Sequence, residues 1–386
     1  MSSKPVTFRI PAQITLGAGA AETIGTEAKR LGARHAFLLV DPVLHKAGVA
    51  DQLLKALDKE GVRVTTYTEI EMEPSVQGVA KAVAAARAAG GDLVVGLGGG
   101  STLDTAKAAA MLLGNPGVLE DYLGIGLVPR RGAPSILLPT TAGTGAEITP
   151  NALYYVPAKR VKEAVVSPHI IPDVAICDSL LTTSVPPAVT AATGVDALCH
   201  AVEAYTSVNA NALTDPYALD AVRLIGGSLR TAVRTGSDLP AREAMTKASL
   251  LAGIAIGNAG TNAVHALAYP LQGQHRITHG VSNSLLLPYV LDFNVSANTG
   301  KFARVAEALG ESLAGLSEEA AARRAAEAAH KLSKDVGIPE RLSQVGIRRE
   351  HLPALVEGAM KVTRLLNNNP RPVRPEDARA IYEAAL

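Results

Sequence analysis

Asp196 and His200 stand four residues apart in the stretch 186–205, so on a helix they share one face. That face is otherwise small and apolar. A carboxylate and an imidazole buried there unpaired would be costly, so they either bond each other or share a cation. Cys199 and Glu203 lie near the same face and are rival ligands on geometry alone. Cys199 ranks lower because a free thiol packs as a small hydrophobe, and Glu203 because it lies a further turn along. A second cluster, in the stretch 262–280, holds His265, His275 and His279, three of the nine histidines in the chain. His265 falls in an apolar helical run and His279 just before another helix, so two imidazoles from different segments could meet the Asp196/His200 pair. Any one of these histidines alone reads as a satisfied core or surface residue. Together, one carboxylate and three imidazoles suit Fe(II) or Zn(II) better than Mg or Ca.

A second chemistry is written in glycine. The stretch 97–107, Leu-Gly-Gly-Gly-Ser-Thr-Leu-Asp-Thr-Ala-Lys, places Gly98, Gly99 and Gly100 between a buried strand and a helix whose first turn is expected to hold Ser101 and Asp104. Backbone amides there can approach a pyrophosphate, and a helix N-terminus favours its charge. An ordinary tight strand-to-helix turn would use the same residues. The spacing matches neither the Gly-x-Gly-x-x-Gly fingerprint nor a P-loop. A second loop, 139–147, reads Pro-Thr-Thr-Ala-Gly-Thr-Gly-Ala-Glu and can offer hydroxyl donors to a diphosphate, a ribose or an amide, or form only local turns. Asp41 ends an early strand, where it could bind ribose hydroxyls and repel a 2′-phosphate, favouring NAD over NADP; it could equally cap the next helix.

These residues need a frame, and the pattern supplies one. Strand-like runs at 36–40, 62–67 and 93–97 alternate with helical runs at 43–59 and 75–89, the βαβ rhythm of a parallel sheet. Further strand-like runs follow at 136–138, 152–156, 163–166 and 174–178. After residue 178 the chain turns helical: Ser184-Val-Pro-Pro opens a helix, and the rest is rich in Ala, Leu and Arg at helical spacing. The expected division is an α/β dinucleotide-binding domain over 1–180 and an all-α metal-binding domain over 181–386. A chain of 386 residues is long for one core, which agrees with two domains.

Composition narrows the partners. The net charge is +1 with signs intermixed, and Trp is absent, so neither a nucleic acid nor an acidic membrane has an evident seat. No apolar run reaches the length of a membrane span, and the start of the chain, broken by Pro5 and Arg9, carries no visible secretory signal. Two cysteines, Cys177 and Cys199, make no disulfide framework. A cytoplasmic enzyme with a small-molecule substrate is the expectation.

The segments 98–107, 139–147 and 192–203 (Ala-Thr-Gly-Val-Asp-Ala-Leu-Cys-His-Ala-Val-Glu) resemble signatures of the iron-containing (group III) alcohol dehydrogenases, over essentially the whole chain. The resemblance implies a Rossmann-like α/β N-terminal domain and an all-helical C-terminal domain of dehydroquinate synthase-like type. It implies Asp196, His200, His265 and His279 as ligands of Fe(2+), with Zn(2+) as the alternative. For NAD(H) it implies Asp41, Gly98, Gly99, Gly100, Ser101, Asp104, Thr140, Thr141, Thr144, Lys162 and, beside the nicotinamide, Leu181. Asn151 matches a substrate-side Asn of lactaldehyde-reducing members, and Ile254, Asn258, Thr363 and Asn367 are further lining positions by analogy. A homodimer or larger homo-oligomer is implied as well. Many members have a His where this chain has Tyr269 and a Pro where it has Thr278, departures that touch the proton path and the substrate rather than the fold.

The chemistry expected is hydride transfer between nicotinamide and a small alcohol, diol or (semi)aldehyde whose oxygen meets a Lewis acid. His275 is a candidate proton relay, or a surface residue. Arg276 could attract an anionic substrate group, or make a surface ion pair. Three rivals stand beside this reading. A maleylacetate reductase-like enzyme would lack the metal site, a dehydroquinate synthase-like lyase would need a Lys/Arg cluster, and a regulator would bind NAD without turnover.

Overall fold

The computed structural model describes residues 5–159 and 161–386. The chain divides into two compact units, one spanning Ile10–Ser184 and the other Val185–Leu386 with the described residues up to Arg9. The expectation about the start of the chain falls partly on residues 1–4, outside the described residues. No helix among the described residues is long and apolar enough to cross a membrane.

The first unit is built on strands β1 (Gln13–Leu16), β2 (His35–Val40), β3 (Arg63–Tyr67), β4 (Leu93–Gly98), β5 (Gly124–Ile125), β6 (Ser135–Pro139), β7 (Asn151–Val156), β8 (Val161–Val166) and β9 (Val174–Cys177). Its helices are α1 (Ile24–Arg30), α2 (Pro42–Lys46), α3 (Asp51–Lys59), α4 (Val76–Ala89) and α5 (Gly100–Gly114). Six strands form one parallel sheet in the order β1-β9-β6-β4-β2-β3. Period-2 alternation divides the strands between two apolar layers. Ala36, Leu38 and Val40 of β2 pack with Val95, Leu97 and Leu53 on one face, while Phe37 and Leu39 pack with Val94, Val79 and Leu103 on the other. Each fully buried Val, Leu or Phe among them contributes about 1.5–3 kcal/mol. Strands buried on both faces read as continuous apolar runs, and β2 and β4 do so for this reason.

The chain leaves β2 for β3 on one side and then crosses to β4 on the other. The strand order therefore reverses between β2 and β4, and their carboxyl ends form a switch point, the position where open α/β sheets bind ligands. Three features depart from the sequence reading. The helical run 43–59 is broken into α2 and α3 by the turn around Gly48, whose φ is 73°. β7 and β8 leave the parallel sheet and pair antiparallel, with β5, in a second three-stranded sheet. β1, at the edge of the main sheet, lies upstream of the pattern that was read.

The second unit is helical: α6 (Pro187–Thr206), α7 (Asp215–Arg234), α8 (Leu239–Ala259), α9 (Ala263–His275), α10 (His279–Asn294), α11 (Thr299–Ala308), α12 (Glu318–Asp335), α13 (Leu352–Met360), α14 (Thr363–Leu366) and α15 (Pro375–Ala385). α6 starts with Pro187 in its first turn, where the missing N–H costs nothing. From Gly194 to Thr206 every residue of α6 is buried, Asp196, His200 and Glu203 included. It packs against α7, α8 and α10 and carries Asp196 and His200 at the centre of the unit.

Candidate metal centre and nucleotide-binding edge

In the helical unit, Asp196 and His200 of α6, His265 of α9 and His279 of α10 each offer a ligand atom, and these atoms lie within 4.8 Å of one another. Asp196, His200 and His265 are buried, and His279 is partly so. Asp196 Oδ1 is 3.9 Å from His200 Nε2, 4.0 Å from His265 Nε2 and 3.7 Å from His279 Nε2, and the two buried imidazoles approach to 3.1 Å. Donors each about 2.1 Å from a common tetrahedral ion would stand about 3.4 Å apart, so the spacing fits such an ion.

The elements reach this arrangement through close approach and capping. Gly280, next to His279, lets the start of α10 sit on α6: a Cβ there would lie 2.7 Å from the Ala192 carbonyl oxygen. Glu203, one turn beyond His200 on α6, meets the first turn of α9. Its Oε1 accepts from the backbone N–H of Asn262 at 3.0 Å and of Val264 at 2.8 Å, satisfying amides that the helix leaves unpaired. Its Oε2 is bonded to His265 Nδ1. That bond puts the His265 proton on Nδ1 and leaves the Nε2 lone pair facing the cluster. Gln272 does the same for His279, its Oε1 accepting from Nδ1 at 3.1 Å. Asn283, one turn along α10 from His279, donates from Nδ2 to Asp196 Oδ1 at 2.7 Å.

Charge is arranged to match. Burial pushes the Asp196 carboxyl up, but His200, His279 and His265, with the Asn283 bond, outweigh it and hold the group below its usual value. Burial pulls His265 down, and the Glu203 carboxylate more than reverses this, so that imidazole is raised. The donor set of one ionised carboxylate and three imidazoles is the kind that takes Fe(II) or Zn(II). Glu203, weighed in the sequence as a rival ligand, is thus bonded to the candidate ligand His265 and orients it. Cys199 is buried and is not in the four-residue donor set, and burial, with Asp196 and Glu203, pushes its thiol well up.

In the α/β unit, Asp41 follows β2 and Gly98 ends β4, side by side: Val40 pairs with Leu97, and the Asp41 N–H donates to the Leu97 carbonyl at 3.2 Å. Gly99 is the N-cap of α5, with no side-chain hydrogen bond to the first amides of the helix. A Cβ on Gly100 would lie 2.9 Å from Thr144 Cγ2, and one on Gly99 would lie 3.6 Å from Thr141, so the glycines let the threonine loop close over the turn. The loop is tied at its start by the Thr140 N–H, which donates to Gly98 O at 3.0 Å. Asp41 caps α2, its Oδ1 accepting from Val43 N–H at 2.8 Å and Leu44 N–H at 3.3 Å; its second oxygen makes neither bond.

The two units match models of the iron-containing alcohol dehydrogenase, residues 11–179, and of the C-terminal part of the Fe-containing alcohol dehydrogenase family, residues 190–386. The chain belongs to the iron-containing alcohol dehydrogenase family. A long-chain-alcohol dehydrogenase from Geobacillus thermodenitrificans is 47% identical over 374 residues, 96% of this chain and 94% of that one. A solved 1,3-propanediol oxidoreductase superposes with a TM-score of 0.97 at 39% identity, covering 99% of this chain and 100% of that one. A sulfoacetaldehyde reductase from Bifidobacterium kashiwanohense, solved in complex with NAD+, gives 0.90 at 31% identity, over 99% of each chain. The fold of an iron-containing alcohol dehydrogenase, a Rossmann-like sheet unit and a helical unit, is therefore the fold of this protein.

Other residues expected at the site of this family member have definite partners in the fold. Asp104 is not in the first turn of α5 but one turn further in, where its Oδ2 accepts from the Leu153 N–H at 2.9 Å and burial pushes its carboxyl to about 6. Lys162 of β8 pairs with Glu73, a residue that the sequence reading missed. Glu73 has φ 61°, and its N–H donates to Ser101 Oγ at 3.1 Å, so it links Ser101 with Lys162. No spacing or composition signal marks it. Leu181 lies in the apolar layer with Leu97 and Leu138. His275 ends α9, and its ring packs on His351 at 4.7 Å rather than in the four-residue cluster, because ten residues of helix, about 15 Å of rise, separate it from His265. Arg276 is the left-handed C-cap of the same helix. Asn258 exchanges hydrogen bonds with the backbone of Arg9.

Proposed function

We propose that this protein is a metal-dependent, NAD(H)-linked alcohol dehydrogenase and aldehyde reductase acting on a small primary alcohol, diol or (semi)aldehyde. The observation that carries the reading is the buried set of Asp196, His200, His265 and His279, whose donor atoms stand at the spacing of one shared ion. Fe(2+) is the resident ion proposed, with Zn(2+) as the alternative. A divalent ion held there would act as a Lewis acid on the substrate oxygen, and nicotinamide would carry the hydride.

The chain's own residues have definable tasks. Glu203 and Gln272 fix the tautomers of His265 and His279, and Asn283 steadies Asp196. The amides at 98–101 and the open N-terminus of α5 suit the pyrophosphate, Thr140, Thr141 and Thr144 offer hydroxyls, and the Asp41 oxygen left by the cap suits ribose hydroxyls. Lys162 and Leu181 are proposed beside the cofactor and Asn151 beside the substrate. The intact Asp196 and His200 speak against a maleylacetate reductase-like enzyme. Homo-oligomeric assembly in the cytoplasm completes the proposal.

The test is NADH oxidation and NAD reduction, without oxygen, over a panel of short aldehydes, diols and semialdehydes, after metal stripping and reloading with Fe(II) or Zn(II). Metal-requiring turnover supports the reading and ranks substrates. Tight NAD binding with no turnover under either metal rejects it.

A further inference from the structure

Beneath the nucleotide-binding edge, the α/β unit buries a cation that the glycine turn does not use. Lys107, two turns into α5, is 1% exposed. Its Nζ donates to the carbonyl oxygen of Thr149 at 2.8 Å and of Asn151 at 2.7 Å, and lies 3.4 Å from Thr149 Oγ1. These three acceptors match the three donors of an ammonium. The carbonyl between them, on Pro150, accepts from the Ser167 N–H at 2.9 Å. The segment 149–151 is therefore gripped at every carbonyl, and it is the far end of the threonine loop. The near end is held on the same helix and strand, by Thr140 N–H on Gly98 O and by Thr144 against Gly100.

Two buried carboxyls face the ammonium. Asp104, one turn earlier on α5, accepts from Leu153 N–H, and its carbonyl accepts from Tyr154 OH at 2.8 Å. Glu147, in the loop itself, has Oε2 buried without a hydrogen-bond partner. Burial pulls Lys107 down to about 8, against the pull of Asp104 and Glu147, and pushes Glu147 up to about 7. Desolvating an ammonium is costly, and methionine would fill the same space more cheaply. What methionine cannot do is draw two carbonyls, two residues apart, onto one point.

We propose that Lys107 is a positioning residue for the cofactor: it fixes the far end of the threonine loop relative to the glycine turn, so that the loop's hydroxyls and the turn's amides are set before the cofactor arrives. The inference rests on the reading that this edge binds NAD(H). Its ammonium touches no part of the cofactor, because its donors are spent on Thr149 and Asn151.

The test measures NADH binding by fluorescence and ADP binding by competition, on the full chain as wild type and as Lys107→Met. Wild type that binds no NADH removes the underlying reading; with that binding in place, the variant tests Lys107 alone. In folded Lys107→Met, NADH affinity should fall roughly tenfold through lost preorganisation, while ADP, which is held by the turn, the helix end and Asp41 and does not depend on the far end of the loop, should stay within about twofold. NADH affinity unchanged within about twofold overturns the proposal. An equal loss for both ligands does so too, because it would make Lys107 a support of the whole unit. Should Lys107→Met not fold, Lys107→Gln, which keeps a donor for one carbonyl, is read by the same two criteria.

Discussion

Two imidazoles of the proposed metal centre carry partners of different charge, and that difference has consequences. Glu203 places an anion on His265, which raises its basicity, whereas the neutral Gln272 only fixes the tautomer of His279. Glu203→Gln and Gln272→Leu should each weaken metal binding, by roughly 10- to 100-fold, measured by competition with a chelator. The Glu203 change should be the worse, since it also disturbs the carboxylate at the start of α9. At the other unit, Asp41 caps α2 and is the proposed partner of the ribose, and one substitution separates the two. Asp41→Asn keeps a good N-cap, so thermal stability should hold, while relative use of NADPH over NADH should rise roughly tenfold, about 1.4 kcal/mol, as the repelling charge is lost. An unchanged cofactor ratio would leave Asp41 as a cap alone. The four candidate ligands were legible because Asp196 and His200 share a helix face and histidines are scarce. Glu203 was visible only as a competitor, because the distance from α6 to α9 is not written in either segment. Gln272 and Asn283 went unread because carboxamides carry no metal signature, although Asn283 stands one turn after His279.

Among the elements, glycines decide how closely helices and loops approach. Gly280 seats α10 on α6, and Gly280→Ala would set a methyl 2.7 Å from a backbone oxygen that cannot yield cheaply. The variant should lose about 1–3 kcal/mol of stability by denaturant unfolding and, because His279 moves with α10, should bind metal more weakly. Normal metal affinity would mean that α10 shifts without carrying His279 off the cluster. The central strands of the main sheet, β2, β4, β6 and β9, were legible as apolar runs between turn residues, for the physical reason that both of their faces are buried. β7 and β8 were legible as strands but not as a separate antiparallel pair, since their half-buried alternation says nothing about which sheet receives them. The break between α2 and α3 was hidden because Gly48 sits inside an otherwise helical run.

For the molecule as a whole, one unit carries a sheet edge at a topological switch point, the proposed seat of NAD(H), and the other a helical core that gathers four candidate donor atoms from three helices. The reversal of strand order between β2 and β4 could not be read from the sequence, because it depends on which side of β2 the chain packs its next strand. It is nevertheless the feature that brings Asp41 and Gly98 together. The most direct test of the account is a titration of metal-stripped protein with Fe(II) or Zn(II), recording bound metal and aldehyde-dependent NADH oxidation on the same samples. Turnover should be absent without metal and rise in proportion to it up to about one ion per chain, and His265→Ala should show neither tight binding nor turnover. Full turnover in stripped protein, or in His265→Ala, would contradict it.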